Sequence, residues 1–490
     1  MTKTLTEELE SWLLKYSDEI ALSFSDKNYS YKDLDLASKK IKDFLLSKKN
    51  SEPYIGVFAT KNFFTYASIL AIIRAGKAYV PLNPSFPIEK NLEIIKESGI
   101  KTLFINNTDR KIFKEHPDTD TVSPELITEE ITDAGVTANV SSAAYILFTS
   151  GTTGKPKGVL ITHKNLLSYL ENIQKLVKIE KGDRCSQTFG LTFDLSVHDI
   201  FFTWKNGACL CTPEENELLS PASYIKNKKL THWFSVPSTG ILMDKLRQLK
   251  ENNFPDLKNV LFCGEALRTD LARKFMKAAP NAVCYNLYGP TEATIAIFAY
   301  KIEEPIKEKN GIVSIGKIFA CNRSFITKER IDYFNGELCL NGAQVIQNYF
   351  NNSEADKACF YEDHKEVNWY KTGDTIEIDE ENNFYFLGRK DTQIKLNGFR
   401  IELEEIESVL LKESGNSNTI VFVNEKSASP FLVAALEGEK TTENTQLLDK
   451  CRQKLAPYMI PQQIVYLHTF PLNVNGKVDR KAIIQTITNK

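Results

Sequence analysis

"FTSGTTGKPKG", Phe148 to Gly158, follows the apolar run "AYIL" and is built almost wholly from glycine, serine, threonine and lysine around one proline. A stretch like this cannot be helix or core. It exposes backbone N–H and hydroxyl donors, and its glycines let the backbone approach a ligand closely. Phosphate is the ligand such a loop suits. The loop is not a Walker motif, because Gly154-Lys155 is followed by Pro156 where a magnesium-binding Ser or Thr would stand. A strand running into a glycine-rich turn places that turn at the strand's carboxyl end, where open α/β sheets bind ligands.

Outward from the loop, strand-like and helix-like stretches alternate. "YIGVFAT" (Tyr54–Thr60), "AYVPL" (Ala78–Leu82), "KTLFIN" (Lys101–Asn106) and "GVLITH" (Gly158–His163) read as strands. "FFTYASILAIIRAG" reads as a helix stopped by Gly76, and "IEKNLEIIKES" and "NLLSYLENIQKLV" read as two more. That rhythm predicts an α/β protein with parallel sheets covered by helices. It changes near residue 388. "FYFLGRKDTQIKLNGFRIELEEIESVLLKES" (Phe384–Ser414) holds strands, a polar joint and an acidic-fronted helix, and opens a unit of about 100 residues, an ordinary domain size. The expected organisation is a core over 1–388, a joint at 389–391 and a small α+β domain over 392–490.

Composition narrows the function classes. The 490 residues carry a net charge of −2, with 61 basic and 63 acidic residues well mixed. No global field draws the chain to nucleic acid or to an anionic membrane. Glu7, Glu8 and Glu10 interrupt any signal-peptide core, and no apolar run of about 18 residues is present. The nine cysteines show no CxxC pair and the six histidines no ligand spacing. A cytoplasmic protein with reduced thiols and no structural zinc is expected.

Four further motifs carry chemistry. "NLYGPTEATIA" (Asn286–Ala296) packs an aromatic, a Gly-Pro turn, a hydroxyl and a carboxylate together. "WYKTGD" ends on Asp374, "LGRKDTQIKLNGFRIELEEIE" supplies Arg389 and Asp391, and "NVNGKVDRKAI" sets Lys477 on a glycine turn. In this order and over essentially the whole chain, the set resembles the adenylate-forming superfamily. Within it, the set is most similar to the amino-acid adenylation enzymes of nonribosomal peptide assembly.

The resemblance implies a large N-terminal domain of stacked αβ subdomains, a small mobile C-terminal domain and a hinge at Asp391. It implies use of ATP and Mg2+. Thr149, Ser150, Gly151, Thr152, Thr153, Gly154 and Lys157 would receive the phosphates. Asn286, Tyr288, Gly289, Pro290 and Thr291 would also bind ATP, with Tyr288 stacked on the base and Thr291 touching a phosphate, and Glu292 would help hold the metal. Asp374, near Arg389, would accept the ribose hydroxyls. Lys477 would be the catalytic residue, its ammonium bridging the substrate carboxylate and the α-phosphate. Gly398 would leave room for a phosphopantetheine arm.

"TFDLSVHDIF" (Thr192–Phe201) bears on the substrate. By the resemblance Asp194 pairs with an α-ammonium; on the residues alone it could equally cap a helix. The implied pocket is Asp194, Leu195, His198, Ser235, Leu261, Cys263, Leu287, Ile295 and Ala296, closed by Lys477. It holds no charge placed to balance an acidic or basic side chain, so a small neutral amino acid fits. The sequence is also similar to D-alanine–carrier protein ligases of teichoic acid modification. An acyl-CoA ligase for a non-amino acid is the other alternative. No carrier or condensation motif is present, so a monomer loading a separate phosphopantetheinylated carrier protein in trans is expected.

Overall fold

The computed structural model describes residues 3–25, 27–48, 52–116, 119–128, 131–132, 142–150, 156–328, 335–363, 367–424, 430–440, 443–472 and 478–488. Contacts divide the chain into two units. The larger comprises Met1–Asn83, Ser98–Phe148 and Gly158–Lys390, and the smaller comprises Pro84–Glu97, Thr149–Lys157 and Asp391–Lys490.

The larger unit contains three sheets that matter for the site. The six-stranded sheet runs Asp120–Val122, Thr102–Phe104, Tyr54–Phe58, Ala78–Leu82, Ala143–Thr149, Lys157–Thr162. Its neighbours from Asp120–Val122 through Ala143–Thr149 pair parallel, as the βαβ rhythm predicts. The nine-stranded sheet has a parallel centre, Asn259–Phe262 lying between His232–Ser235 and Val283–Tyr288. A third, five-stranded sheet is antiparallel and carries Asn335–Gly342, Asn368–Ile378 and Phe384–Arg389. One hydrophobic cluster joins Val57 and Tyr145 of the first sheet to Phe234, Leu261 and Leu287 of the second and Leu340 and Ile376 of the third. The fold class expected from the sequence is found.

Local signals act as the residues dictate. The helix Phe63–Arg74 is buried from Thr65 to Arg74, which is why it has no polar face. Arg74 is tolerated inside because Glu10 and Asp35 meet its guanidinium at 2.8 and 2.9 Å. Behind this helix Gly76 takes φ 71°, Gly76 N–H donates to Ile73 and Lys77 N–H to Ile72, so the expected glycine stop is a Schellman closure. The helix His163–Leu176 begins two residues before the apolar pattern does, on a capping box between Thr162 and Asn165.

In the smaller unit, Gln393–Leu396 and Phe399–Glu402 form a hairpin turned at Asn397 (φ 52°) and Gly398 (φ 82°), the two left-handed positions a tight hairpin requires. The helix Leu403–Ser414 follows, then a three-stranded sheet of Thr419–Asn424, Phe431–Glu437 and Gln463–Leu467. Among the described residues, no helix is long and apolar enough to cross a membrane. All nine cysteines are free, and seven are buried.

Candidate active site

The carboxyl ends of three adjacent parallel strands assemble one wall. Ser235 pairs with Phe262, and Phe262 with Asn286, so Ser235, Leu261, Cys263, Leu287 and Tyr288 lie at neighbouring levels of the sheet. Ser235 is fully buried and its Oγ accepts from Trp233 Nε1 at 3.0 Å. Asn286 donates through Nδ2 to the carbonyls of Ser314 (2.9 Å) and Val313 (3.4 Å). Both polar side chains brace the wall, and Ser235 keeps its hydroxyl donor.

Asp194 opens the short helix Asp194–Val197. The N-cap is Phe193, so Asp194 stands at the first helical position, where a carboxylate also favours the helix dipole. Its charge acts on Tyr145 and Tyr169. The chain continues as a single π-turn, His198–Phe202, a distortion that recurs at functional sites. His198 is buried, with its ring edge-on to Phe234 at 4.6 Å and its Nδ1 sharing a 2.6 Å hydrogen bond with Tyr169 Oη. Burial pushes its pKa down to about 3. His198 is therefore neutral at physiological pH and cannot balance an acidic substrate side chain. Tyr169 was read from the sequence as part of an amphipathic helix; nothing in its spacing marks it as the partner of a pocket histidine.

Past Tyr288 the chain turns sharply. A Cβ at Gly289 would lie 2.7 Å from the Cα of Ala296, so only glycine lets Tyr288–Pro290 lie against Ile295–Ala296. Thr291–Ala293 is a 3₁₀ turn, and Glu292 within it is fully buried. Tyr349 Oη donates to Glu292 Oε1 at 2.6 Å. That tyrosine lies in "GELCLNGAQVIQNYF" (Gly336–Phe350).

Asp374 and Arg389 face each other across paired strands. Arg389 Nη1 donates to Asp374 Oδ1 at 2.7 Å, and Tyr288 Oη donates to Oδ2. Tyr288 thus holds its ring at the end of the strand while its hydroxyl fixes a carboxylate. Burial, then the Asp374 charge, push the phenol well above its ordinary pKa, so it stays a donor.

Thr149 Oγ1 donates to the Lys157 carbonyl at 3.4 Å, and in the smaller unit Ser150 Oγ donates to the Arg400 carbonyl at 3.2 Å. Gly151, Thr152, Thr153, Gly154 and Lys477 lie outside the described residues. Asp391 is exposed, begins the last segment of the smaller unit and accepts from Gln393 N–H at 3.2 Å; Arg389 ends the strand before it.

Comparison with known proteins decides the family. The AMP-binding enzyme family matches residues 9–350. This chain belongs to it. The AMP-binding enzyme is 32% identical over 504 residues to the D-alanine–D-alanyl carrier protein ligase of Lactococcus lactis, covering 98% of each chain. It is 31% identical to the ligase of the same name from Listeria welshimeri, covering 99% of this chain and 100% of that one. Among solved structures it is similar to the Vibrio cholerae adenylation domain AlmE in complex with glycyl-adenosine-5′-phosphate, with a TM-score of 0.89, 26% identity and coverage of 100% and 99%. It shares a fold, at 23% identity and a TM-score of 0.83 over 96% of this chain and 97% of the other, with an o-succinylbenzoate CoA synthetase of Bacillus subtilis. The resemblance to adenylate-forming ligases read from the motifs is thus found.

Proposed function

We propose that this enzyme uses ATP to convert a small neutral amino acid to its aminoacyl-AMP, then transfers the acyl group to the phosphopantetheine thiol of a separate carrier protein. In the first step a substrate carboxylate oxygen attacks the α-phosphorus, and the bond to the bridging oxygen breaks to release pyrophosphate. In the second, the thiolate attacks the acyl carbon and AMP leaves. Asp194 carries the reading: a carboxylate at the head of a helix beside Tyr145 and Tyr169, next to an apolar wall and a neutral histidine. An α-ammonium is the cation that such a carboxylate would recognise, and an acid without an amine brings it no opposite charge. The CoA synthetase relative shares the fold, so the fold does not separate the two reactions; Asp194 does. D-alanine is the amino acid that the similarity to the carrier protein ligases favours, and glycine is the alternative that the AlmE complex suggests.

Tyr288 stacks on adenine, and Asp374, held by two donors, keeps lone pairs for the ribose hydroxyls. Thr149–Gly154 and Lys157 surround the phosphates, and Asn286 and Ser235 brace the strands of the wall. Glu292 offers the hard carboxylate oxygen that Mg2+ takes, with its rotamer fixed by Tyr349, and the ion would neutralise charge on the phosphates. Lys477 bridges the two anions in the first step, and rotation about Asp391 then replaces it with the Gly398 hairpin for the second. ATP supply and nine free cysteines suit the cytoplasm. Measuring the two half-reactions separately tests this. Lys477→Ala should slow adenylate formation by roughly 10²–10³-fold, as loss of a transition-state donor does, while transfer from preformed aminoacyl-adenylate is largely spared. Equal loss in both steps contradicts the two-conformation scheme.

A further inference from the structure

The turn after Glu292 is strained at two consecutive residues. Thr294 lies at φ 56° and Ile295 at φ 72°. Both are β-branched, and such residues hold the left-handed region only where their surroundings over-determine it. Gln344 supplies the surroundings. It is fully buried, and its Nε2 donates to the Ala296 carbonyl at 2.7 Å and to the Ala293 carbonyl at 3.4 Å. Its Oε1 accepts from Asn172 Nδ2 (3.0 Å) and Asn322 Nδ2 (3.1 Å). Its own carbonyl accepts from Thr294 Oγ1 at 2.5 Å, and its N–H donates to Asn322 Oδ1 at 3.1 Å. Two residues on, Ile346 N–H donates to the Glu292 carbonyl at 2.9 Å.

An amide has two donors and two side-chain acceptor sites, and this one has used them all. Gln344 has no capacity left for a ligand. A buried glutamine of this kind could be ordinary core satisfaction. Here, though, both of its donors end on the strained turn, and the other side of that turn abuts Gly289.

We propose that Gln344 is a positioning residue for the amino-acid substrate: it clamps the Thr294–Ile295 turn in its left-handed shape and so sets the pocket wall at Ile295–Ala296. This rests on the amino-acid activation proposed above. The clamp predicts a split in kinetic constants, since the turn borders the amino acid and the ribose-binding Asp374 is held independently by Arg389 and Tyr288.

The test is pyrophosphate exchange by the full-length protein with D-alanine and glycine, alongside urea unfolding. Gln344→Met keeps the side chain's length and removes its hydrogen bonds. The amino-acid KM should rise roughly tenfold or more, the scale of a buried hydrogen bond left unmade, with kcat and the ATP KM within about twofold. Thr294→Asn, which takes positive φ more readily and keeps a side-chain donor for the residue-344 carbonyl, should restore most of the loss in the Gln344→Met background. A residue that only stabilised the fold would lower the urea midpoint without this split or this rescue. If Gln344→Met does not accumulate, Thr294→Val removes the 2.5 Å hydroxyl bond while keeping the shape, and its amino-acid KM should rise severalfold. An unchanged amino-acid KM in a folded variant overturns the clamp alone, as does an equal decline in all three constants. A wild type that exchanges with no small neutral amino acid overturns the functional reading, and this assignment with it.

Discussion

Asp374 receives a hydroxyl on one carboxylate oxygen and a guanidinium on the other, and both donors are themselves placed by the strands that carry them. In the function proposed above Tyr288 therefore has two separable tasks: its ring would face the base and its oxygen aims the carboxylate. Tyr288→Phe keeps the first and removes the second. Hydrogen bonds to charged groups contribute about 1.5–3 kcal/mol, so the ATP KM should rise roughly tenfold or more, with the amino-acid KM within about twofold. Tyr288→Leu should weaken ATP further. Identical constants for the Phe and Leu variants would show that the ring makes no contact with the base. Tyr288 and Asp374 were legible in the sequence because each sits in a motif. Tyr169 and Gln344 were not, because one tyrosine or glutamine within a core-forming stretch looks the same whether it serves packing or a neighbouring site.

At the scale of elements, the site depends on how closely the Tyr288–Pro290 turn lies against Ile295–Ala296. Gly289→Ala brings a methyl to within 2.7 Å of the Ala296 Cα and 3.0 Å of the Ile295 carbonyl oxygen, against backbone atoms that cannot swing aside. Overpacking of this kind typically costs about 1–3 kcal/mol, and both substrates should bind more weakly because the turn lies between their sites. Kinetics and stability indistinguishable from wild type would mean that the turn is looser than described. The strand-loop order around Phe148–Gly158 and the helix stop at Gly76 follow from local residue chemistry, so the sequence discloses them. The π-turn at His198–Phe202 follows from how that segment packs, and no periodicity announces it. The grouping of Pro84–Glu97 and Thr149–Lys157 with the smaller unit is likewise hidden, because amphipathicity shows that a helix packs but not against which body.

For the whole molecule, two buried histidines weaken the fold as pH falls. Burial pushes His163 down to about 4 and His198 down to about 3, and neither ring nitrogen of His163 has a hydrogen-bond partner. Both are neutral in the folded protein, whereas in the unfolded chain they take up protons near their ordinary pKa of about 6.5. Stability is fully present above that value. It is lost as pH falls toward 4 and 3, at up to about 1.4 kcal/mol per pH unit for each histidine. Burial raises the Asp199, Glu402 and Glu405 carboxyls, which act in the opposite sense, so the His163 share is read as a difference: between pH 8 and 4 the unfolding midpoint of His163→Leu should fall less, or rise more, than that of wild type. A slope unchanged by that substitution would mean that His163 is not held neutral.

The account as a whole rests on an amine being recognised by Asp194. Its most direct measurement is pyrophosphate exchange with D-alanine against propionate, the same acid without the amine, in wild type and in Asp194→Asn. Asp194 is half-buried, and a hydrogen bond to a charged group contributes about 1.5–3 kcal/mol, which is roughly 10–10²-fold in apparent binding. Wild type should exchange with D-alanine and hardly at all with propionate. Asp194→Asn should lose D-alanine by about that factor, keep its ATP affinity and discriminate far less between the two acids. Equal exchange of D-alanine and propionate by the wild type would contradict the account and make the protein an acyl ligase.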